Sequence, residues 1–404
     1  MPSVPSALLL LTFFAATVAS AQRMSIAGTV VDVVTSAPVA GCRVAEPATG
    51  EAAYTFPDGT FRLPLAPGHH ELVVTSPGYQ PARVVVSEAS QDLMVRITPR
   101  PYEKLSPTAI GTVDANDLMR RVIARRDQIV GGIDRMQQRI YSKFTIDVQG
   151  QLFGLVKDSN RLAVQEMFMN DYFRRDAGER FQVIARRKTT TIPKFDKLFP
   201  VGRFFSFYDD EIRVLNATIA SPLGSHAFDR YHFSVRDASA AGGSVVYTIG
   251  VESATTAFPT FQGTMRVRAD SYDVVDVDLS LAPGTAVAFV GDARFHQQFD
   301  SSGGGRVLPV NLLVNGTVII DLLLGVSKLT APFSSVNIIS QLAVNGSVPD
   351  SVFKKRDVIT LLPTADSARS IFWRQNAYAA YTSGEEKIYR RMDSVLDFAS
   401  AHPS

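Results

Sequence analysis

Apolar residues fall at every second position over much of this chain, and the pattern first appears in short pieces. Ile26–Val33 (IAGTVVDV) alternates and is β-branched, Pro57–Leu65 (PDGTFRLPL) sets Asp58-Gly59 ahead of a strand, and Ala66–Val86 repeats the scheme with Pro67-Gly68 and Pro77-Gly78. Glycine reaches positive φ without steric cost and aspartate bonds its own backbone, so these pairs mark turns. Strands broken by turns, with no helical stretch, predict a sandwich of about 70–80 residues. Pro99, Pro101 and Pro107 then mark a linker.

The periodicity changes at Asp114. Leu118, Val122, Ile129, Ile133, Met136 and Ile140 recur at helical intervals, with Asp114 as N-cap and Gly131-Gly132 splitting the segment in two. The arginine pairs 120–121 and 125–126 fall away from that stripe and read as a solvated face, with docking to anionic lipid headgroups as the alternative. Strand signals dominate from Tyr141 to Val358, in KFTIDVQ, RLAVQEMFMN, RFQVIARRK, RYHFSV, SVVYTIGV, GTMRVRA and VVDVDLSLA. Asn315-Gly316 and Asn345-Gly346 lie between apolar runs and predict hairpin turns, and Ser301–Gly305 predicts a loop. The expected outcome is a large antiparallel sheet, curled around an apolar interior. The chain closes on helical patterns: Phe372–Tyr381 with the single tryptophan, Trp373, then a capping box at Thr382–Glu385 and a stripe of Ile388, Met392, Val395, Leu396 and Ala399.

Met1–Gln22 has another character. An apolar run from Ala7 to Val18 precedes Ala19-Ser20-Ala21, a small-x-small cleavage signal, although no Lys or Arg precedes the run. Export is the expectation, with Gln22 first after cleavage and no cysteine there to take a lipid. A single cysteine, Cys42, excludes an internal disulfide and reads as a small buried residue. The 41 basic and 39 acidic residues leave a net charge of +2, which argues against a nucleic-acid partner.

Chemistry is sparse. Of six histidines, His69 and His70 are adjacent in an expected strand and point to opposite faces, so with Glu71 they lack the spacing of a zinc site. Ser351–Lys354 matches S-x-x-K without its companion motifs, and no nucleophile elbow or phosphate loop occurs. His226, Asp229 and His232 are the first residues to test for a hydrolase. Basic stretches at Arg174-Arg175 and Arg186-Arg187-Lys188 lie near Phe168, Tyr172, Phe173 and Phe181, and read as a solvated strand face or a rim facing anionic lipid or polysaccharide. Phe195–Tyr208 is unusually aromatic and reads as core, with a partner- or lipid-binding patch as the alternative. No catalytic, cofactor-binding or metal-binding residue is assigned, and no cofactor is expected.

Two resemblances sharpen the picture. GTVVD…APVAGCRV…PDGTFRLPLAPGHHELVVTSPGYQ, over about Ser25–Pro99, resembles the carboxypeptidase-regulatory-like domain, a transthyretin-like sandwich. That resemblance implies a non-catalytic appendage which also heads many bacterial outer-membrane proteins. YDDEI, SPLGSHAFDRYHFSV, FPTFQGTMRVRADSYDVVDVDLSL and FWRQNAYAAYTSGEEKIYRRMDSV resemble the periplasmic part of an uncharacterised bacterial envelope family, a domain of unknown function. Members of that family continue into a C-terminal β-barrel, so the sequence ending at Ser404 is expected to be a barrel-less or a truncated member. The middle region is also similar to the half-barrel sheets of lipoprotein carriers, as an analogy of fold.

The expected fold class is mainly β: a transthyretin/Ig-like sandwich, then an α+β domain with a large antiparallel curled sheet and flanking helices. The expected divisions are a signal peptide at 1–21, the sandwich at 22–99, a linker at 100–113, the domain of unknown function at 114–362 and a helical segment at 363–404. The expected function is a non-enzymatic envelope protein, a binding or scaffold module associated with outer-membrane assembly or transport. It would lie in the periplasm or at the outer-membrane periphery of a Gram-negative bacterium, with outer-membrane components, envelope proteins, lipid or polysaccharide as partners. The alternatives are a carrier of lipid or apolar ligands and a secreted hydrolase.

Overall fold

The computed structural model describes residues 23–56, 58–76, 79–87, 90–99, 103–104, 113–147, 162–188, 204–241, 244–302, 305–321, 328–368, 370–379, 381 and 385–390. Outside these lie the leader-like Met1–Gln22, Pro77-Gly78, linker prolines 101 and 107, Phe195–Arg203, Thr382–Gly384 of the capping box, and Met392, Val395, Leu396 and Ala399 of the last stripe.

The sandwich forms as its turns predict. One sheet has the order β4 (Thr60–Leu65), β1 (Met24–Asp32), β7 (Ser90–Ile97); the other has β3 (Ala52–Tyr54), β2 (Arg43–Ala45), β5 (His70–Thr75), β6 (Ala82–Val86). At the Asp58-Gly59 turn, Asp58 Oδ1 accepts from the Thr60 amide at 3.0 Å. Gly59 has φ of +75°, and a β-carbon there would meet the Val30 carbonyl oxygen at 2.6 Å, so glycine is required twice over. Ile26, Val30, Cys42, Phe61, Leu63 and Leu72 fill the space between the sheets.

Among the described residues, the rest is built on one twelve-stranded sheet. Its strands are β8 (Glu103–Lys104), β9 (Arg135–Asp147), β10 (Leu162–Arg174), β11 (Gly178–Lys188), β14 (Tyr231–Ala241), β15 (Ser244–Ser253), β16 (Phe261–Arg268), β17 (Val274–Leu281), β18 (Val290–Ser302), β19 (Arg306–Asp321), β20 (Lys328–Val344) and β21 (Ile359–Leu361). Their order is 21-11-10-9-20-19-18-17-16-15-14-8. Two antiparallel meanders, β9–β11 and β14–β20, are thus joined through the pairing of β9 with β20. The hairpin β12 (Glu211–Val214) and β13 (Ala217–Ala220) stands apart.

Each face of this sheet is covered by a different part of the chain. On β9, Phe144 and Ile146 face the helix α1 (Ala115–Gly131) and the segment 204–231, whereas Tyr141 faces the sandwich. Helix α1 starts at Asp114, whose Oδ1 accepts from the Asn116 amide at 2.8 Å, and ends at Gly132. Two further short helices are α2 (Ala227–Arg230) and α3 (Asp350–Phe353). On the sandwich face, α4 (Ser370–Asn376) is wedged between head and sheet, and the helical residues 385–390 bind the sheet through Glu385 and Tyr389. Buried Gln298 of β18 donates to the Gly41 carbonyl at 2.6 Å, and Arg43 pairs with Asp300 at 2.9 Å, fastening the head to the sheet.

Three sequence expectations fail for identifiable reasons. Ile133, Met136 and Ile140 do not continue as a second helix. A spacing of four satisfies both the helical period and the two-residue period of a strand, and β9 takes the latter, with Met136, Gln138, Ile140, Ser142 and Phe144 on one face. Asn315-Gly316 is not a turn but the middle of β19, where a β-carbon on Gly316 would lie 2.1 Å from the Asp292 carbonyl oxygen, so glycine permits close strand approach. Asn345 follows β20 with φ of +57° and accepts from the Asp134 amide at 2.8 Å, ending the strand rather than turning a hairpin.

Candidate functional site

The face of the sheet beneath α1 would be the open interior of a carrier, and here much of it is filled from within the chain. The described end of the aromatic run enters this core: Phe207 and Tyr208 are buried, with Phe204 and Phe205 half-buried beside them. Phe207 packs edge-on against Phe261, and Tyr208 lies 4.6 Å from Phe299. Three buried side chains hold its backbone. Gln297 accepts from the Phe207 amide at 2.8 Å and donates to the Phe205 carbonyl at 2.6 Å. Ser221 donates to the Phe207 carbonyl and Arg126 to the Tyr208 carbonyl, each at 2.6 Å. The core reading of the run holds for these residues.

A half-open cavity of about 460 Å³ remains between this segment, the end of α1 and the sheet. Its walls are mainly apolar, with Ile133, Met136, Phe173, Phe205, Leu308 and Leu342 among them. Arg175, Glu179, Asp209, Glu211 and Arg213 also line it. Asp209 is open to water on one side but crowded by protein on the other. That crowding raises its carboxyl to about 6, against the weaker opposing effects of the Ser206 backbone and Arg126. Its neighbour Asp210 moves the other way: burial raises it, but the Ser225 amide and Arg126 together outweigh this and hold it below the usual range. The volume lies within the roughly 300–1,000 Å³ of small-molecule pockets.

The arginine pairs read from sequence as solvated are mostly engaged. Arg126 is buried and reaches Asp210 at 3.0 Å, Arg125 pairs with Asp273 at 2.7 Å, and Arg121 donates to the Tyr272 hydroxyl at 2.8 Å. Arg175 pairs with Asp134 at 2.9 Å and donates to the Gly131 carbonyl at 2.7 Å, closing the end of α1. Arg186 forks onto Asp366 at 3.0 and 2.9 Å. Arg120 and Arg121 remain exposed, as a solvated helix face requires, whereas Arg125, Arg126 and Arg186 find carboxylates far away in sequence, which is why local pattern did not show their engagement.

Sequence reasoning missed a second constellation, on the sandwich face. Glu166 is fully buried and accepts from Arg187 Nε at 2.7 Å and from the Tyr141 hydroxyl. Burial alone would raise the Glu166 carboxyl, but Arg187, Lys143 and the Tyr141 hydroxyl reverse that and hold it below its ordinary range. The Arg187 guanidinium lies 3.4 Å from the Tyr389 ring centroid and 4.7 Å from that of Trp373, and donates to the Tyr381 hydroxyl at 2.8 Å. Lys143 meets buried Glu385 at 2.7 Å. Trp373 and Tyr381 also touch the head, and Glu385 and Tyr389 touch the sheet, so the cluster fastens the C-terminal segment. The alternation Tyr141-Lys143 against Glu166-Phe168 was the available signal, since all four fall on one face.

The hydrolase candidates do not converge. His226 Nδ1 lies 3.5 Å from Asp229 Oδ2 on the exposed surface, whereas exposed His232 points from β14 away from buried Tyr231. His70 approaches the Ala66 carbonyl at 2.9 Å, while Glu71 on the other face of the strand pairs with Arg83. Ser351 and Lys354 are both exposed. Among the described residues no group of three or more His, Cys, Asp or Glu could hold a metal ion, and no helix is long and apolar enough to cross a membrane.

A small sandwich fastened to one face of a broad antiparallel sheet, with a helix-covered cavity on the other, defines a mainly β protein of head-and-body design. Residues 25–100 match the carboxypeptidase regulatory-like domain, and residues 118–321 match the family of unknown function DUF5686. The chain belongs to the DUF5686 family. No curated protein matches it. Among solved structures, a DUF1329 family protein from Desulfovibrio piger aligns at 9% identity and a TM-score of 0.27, covering 60% of this chain and 98% of that one. A LolA superfamily protein from Nitrosomonas europaea aligns at 10% identity and a TM-score of 0.24, covering 60% and 99%. Superpositions this loose carry nothing about activity.

Proposed function

We propose that this is a non-enzymatic binding module of the cell envelope that holds one apolar chain in the cavity beneath α1. The cavity carries the proposal: about 460 Å³, walled mainly by apolar side chains, with a minority of charged groups in its lining. Because Phe207 and Tyr208 fill the adjoining space, the ligand is a single chain rather than a multi-chain lipid. The head at 22–99, joined through the linker at 100–113, serves as a mounting element for the body at 114–362, and the segment at 363–404 ties the two together. The apolar stretch Ala7–Val18 with its Ala-Ser-Ala boundary supports delivery to the periplasm or the outer-membrane periphery.

The test is titration of the purified chain with N-phenyl-1-naphthylamine, an apolar fluorophore that brightens on leaving water. Saturable binding is expected, displaced by a long-chain fatty acid, with at least tenfold weaker affinity in Leu342→Trp, whose indole fills the cavity. Absence of binding, or equal binding by a folded Leu342→Trp chain, defeats the proposal.

A further inference from the structure

Three phenylalanines are exposed among the described residues, Phe228, Phe258 and Phe289, at 40%, 51% and 50%. They share one end of the great sheet. Phe228 is in α2, just ahead of β14; Phe258 lies in the 254–260 connection between β15 and β16; Phe289 immediately precedes β18. Because these strands run antiparallel, the start of β14, the end of β15 and the start of β18 are neighbours at one edge of the body.

The connections are braced rather than loose. The Ala254 amide donates to the Arg230 carbonyl at 2.9 Å, the Ala282 amide to the Thr260 carbonyl at 2.9 Å, and the Ala288 amide to Asn216 Oδ1 at 2.8 Å. Phe289 holds φ of +63°, a region that bulky side chains disfavour, and the Ile319 amide donates to its carbonyl at 2.9 Å. Its exposed ring is therefore maintained by its surroundings.

Cations accompany the rings. The Arg230 guanidinium stacks 3.7 Å from the Phe258 centroid, and Arg120 lies 5.5 Å from that of Phe228. Arg120 is paired with Asp117, Glu252 pairs with Arg236, and Asp229 lies 3.5 Å from His226. Arg230 has no carboxylate partner within ion-pair distance among the described residues. A protein interface would gather its aromatic anchors into one packed patch. Here they are spread over five strands, about 19 Å at roughly 4.8 Å per spacing. Separate rings at one end of the sheet, with a guanidinium beside Phe258 and another beside Phe228, suit the boundary between headgroups and acyl chains.

We propose that this end of the sheet rests on an anionic phospholipid bilayer, with Phe228, Phe258 and Phe289 entering the interface and Arg230 meeting lipid phosphate. This contact does not depend on the cavity, and either could fail alone. Flotation of the full chain with vesicles tests it. Co-flotation is expected with equimolar phosphatidylglycerol and phosphatidylcholine, weakened at least fivefold in F228S/F258S/F289S and by Arg230→Glu, with the folded circular-dichroism spectrum and the affinity for N-phenyl-1-naphthylamine kept. Failure of the unsubstituted chain to float, equal flotation of the triple variant, or equal binding to pure phosphatidylcholine overturns the proposal. A protein partner captured through the three rings without flotation also overturns it.

Discussion

Replacing Glu166 by glutamine removes the charge opposite Arg187 and nothing of the surrounding shape. Glu166 is fully buried and the Arg187 side chain 11% exposed, so the guanidinium is left without its counter-ion in a dry site. Breaking a buried pair in this way costs about 3–5 kcal/mol. The rings of Trp373 and Tyr389 remain against the cation, and such contacts are worth about 0.5–2 kcal/mol, so the lower end, ~3 kcal/mol, is expected. Exchanging both partners, in E166Q/R187M, leaves no orphaned charge and should recover about 2 kcal/mol of the summed losses. Urea denaturation followed by fluorescence reads this directly, because Trp373 is the single tryptophan and touches the cluster. The pH dependence has a definite sign. A carboxyl held below its ordinary 4.5 contributes fully above that value and loses its contribution as pH falls through the lower folded value, so the E166Q deficit should narrow in acid. A loss under about 1 kcal/mol at pH 7, or an additive double variant, would refute the reasoning.

Three further outcomes are expected. Gly316→Ala places a β-carbon 2.1 Å from the Asp292 carbonyl and should cost about 1–3 kcal/mol by chemical denaturation, whereas Gly131→Ala, with open space around it, should cost nothing; equal effects would remove the close-approach argument. Asp209, raised from 3.8 to about 6, binds its proton more tightly folded than unfolded, so native stability falls as pH rises between those values; Asp209→Asn should therefore raise Tm at pH 7.5 and leave it unchanged near pH 3.5, and a lowered Tm at pH 7.5 would contradict the assignment. Cys42 is fully buried and burial raises its thiol, so Ellman's reagent should react at least a hundredfold faster in urea than with the native chain; rapid native labelling would show an open site.

Local chemistry made the head legible, because the Asp58-Gly59 turn and the β1 alternation depend on neighbours in sequence. The Asp114 cap and the Gly131-Gly132 stop of α1 were readable for the same reason. The start of β9 was not, since Met136 and Ile140 satisfy two periods at once, and Asn315-Gly316 misled because a glycine that permits strand contact looks like one that permits a turn. The arginines misled more broadly: Arg125 finds Asp273 and Arg187 finds Tyr381 only after the sheet has formed. The cavity had no linear signature, because its lining gathers from both meanders, and the Glu166 cluster left only the one-face alternation of β9 and β10, because its aromatic members come from the C-terminal segment.

The pairing of β9 with β20 joins Tyr141 to Ile338. Contacts of such sequence separation form slowly, because a long loop must close before they return any free energy. A chain emerging amino end first would complete its head early, from contacts within 75 residues of one another, and then wait for the second meander before β9 gained its far neighbour. During that wait β9 would present an unsatisfied edge, the kind of surface that invites mispairing with other chains. Refolding is expected to show two separated phases, the slower one tracking Trp373. The architecture thus places its greatest aggregation hazard in the interval before the body closes, when the head already stands folded.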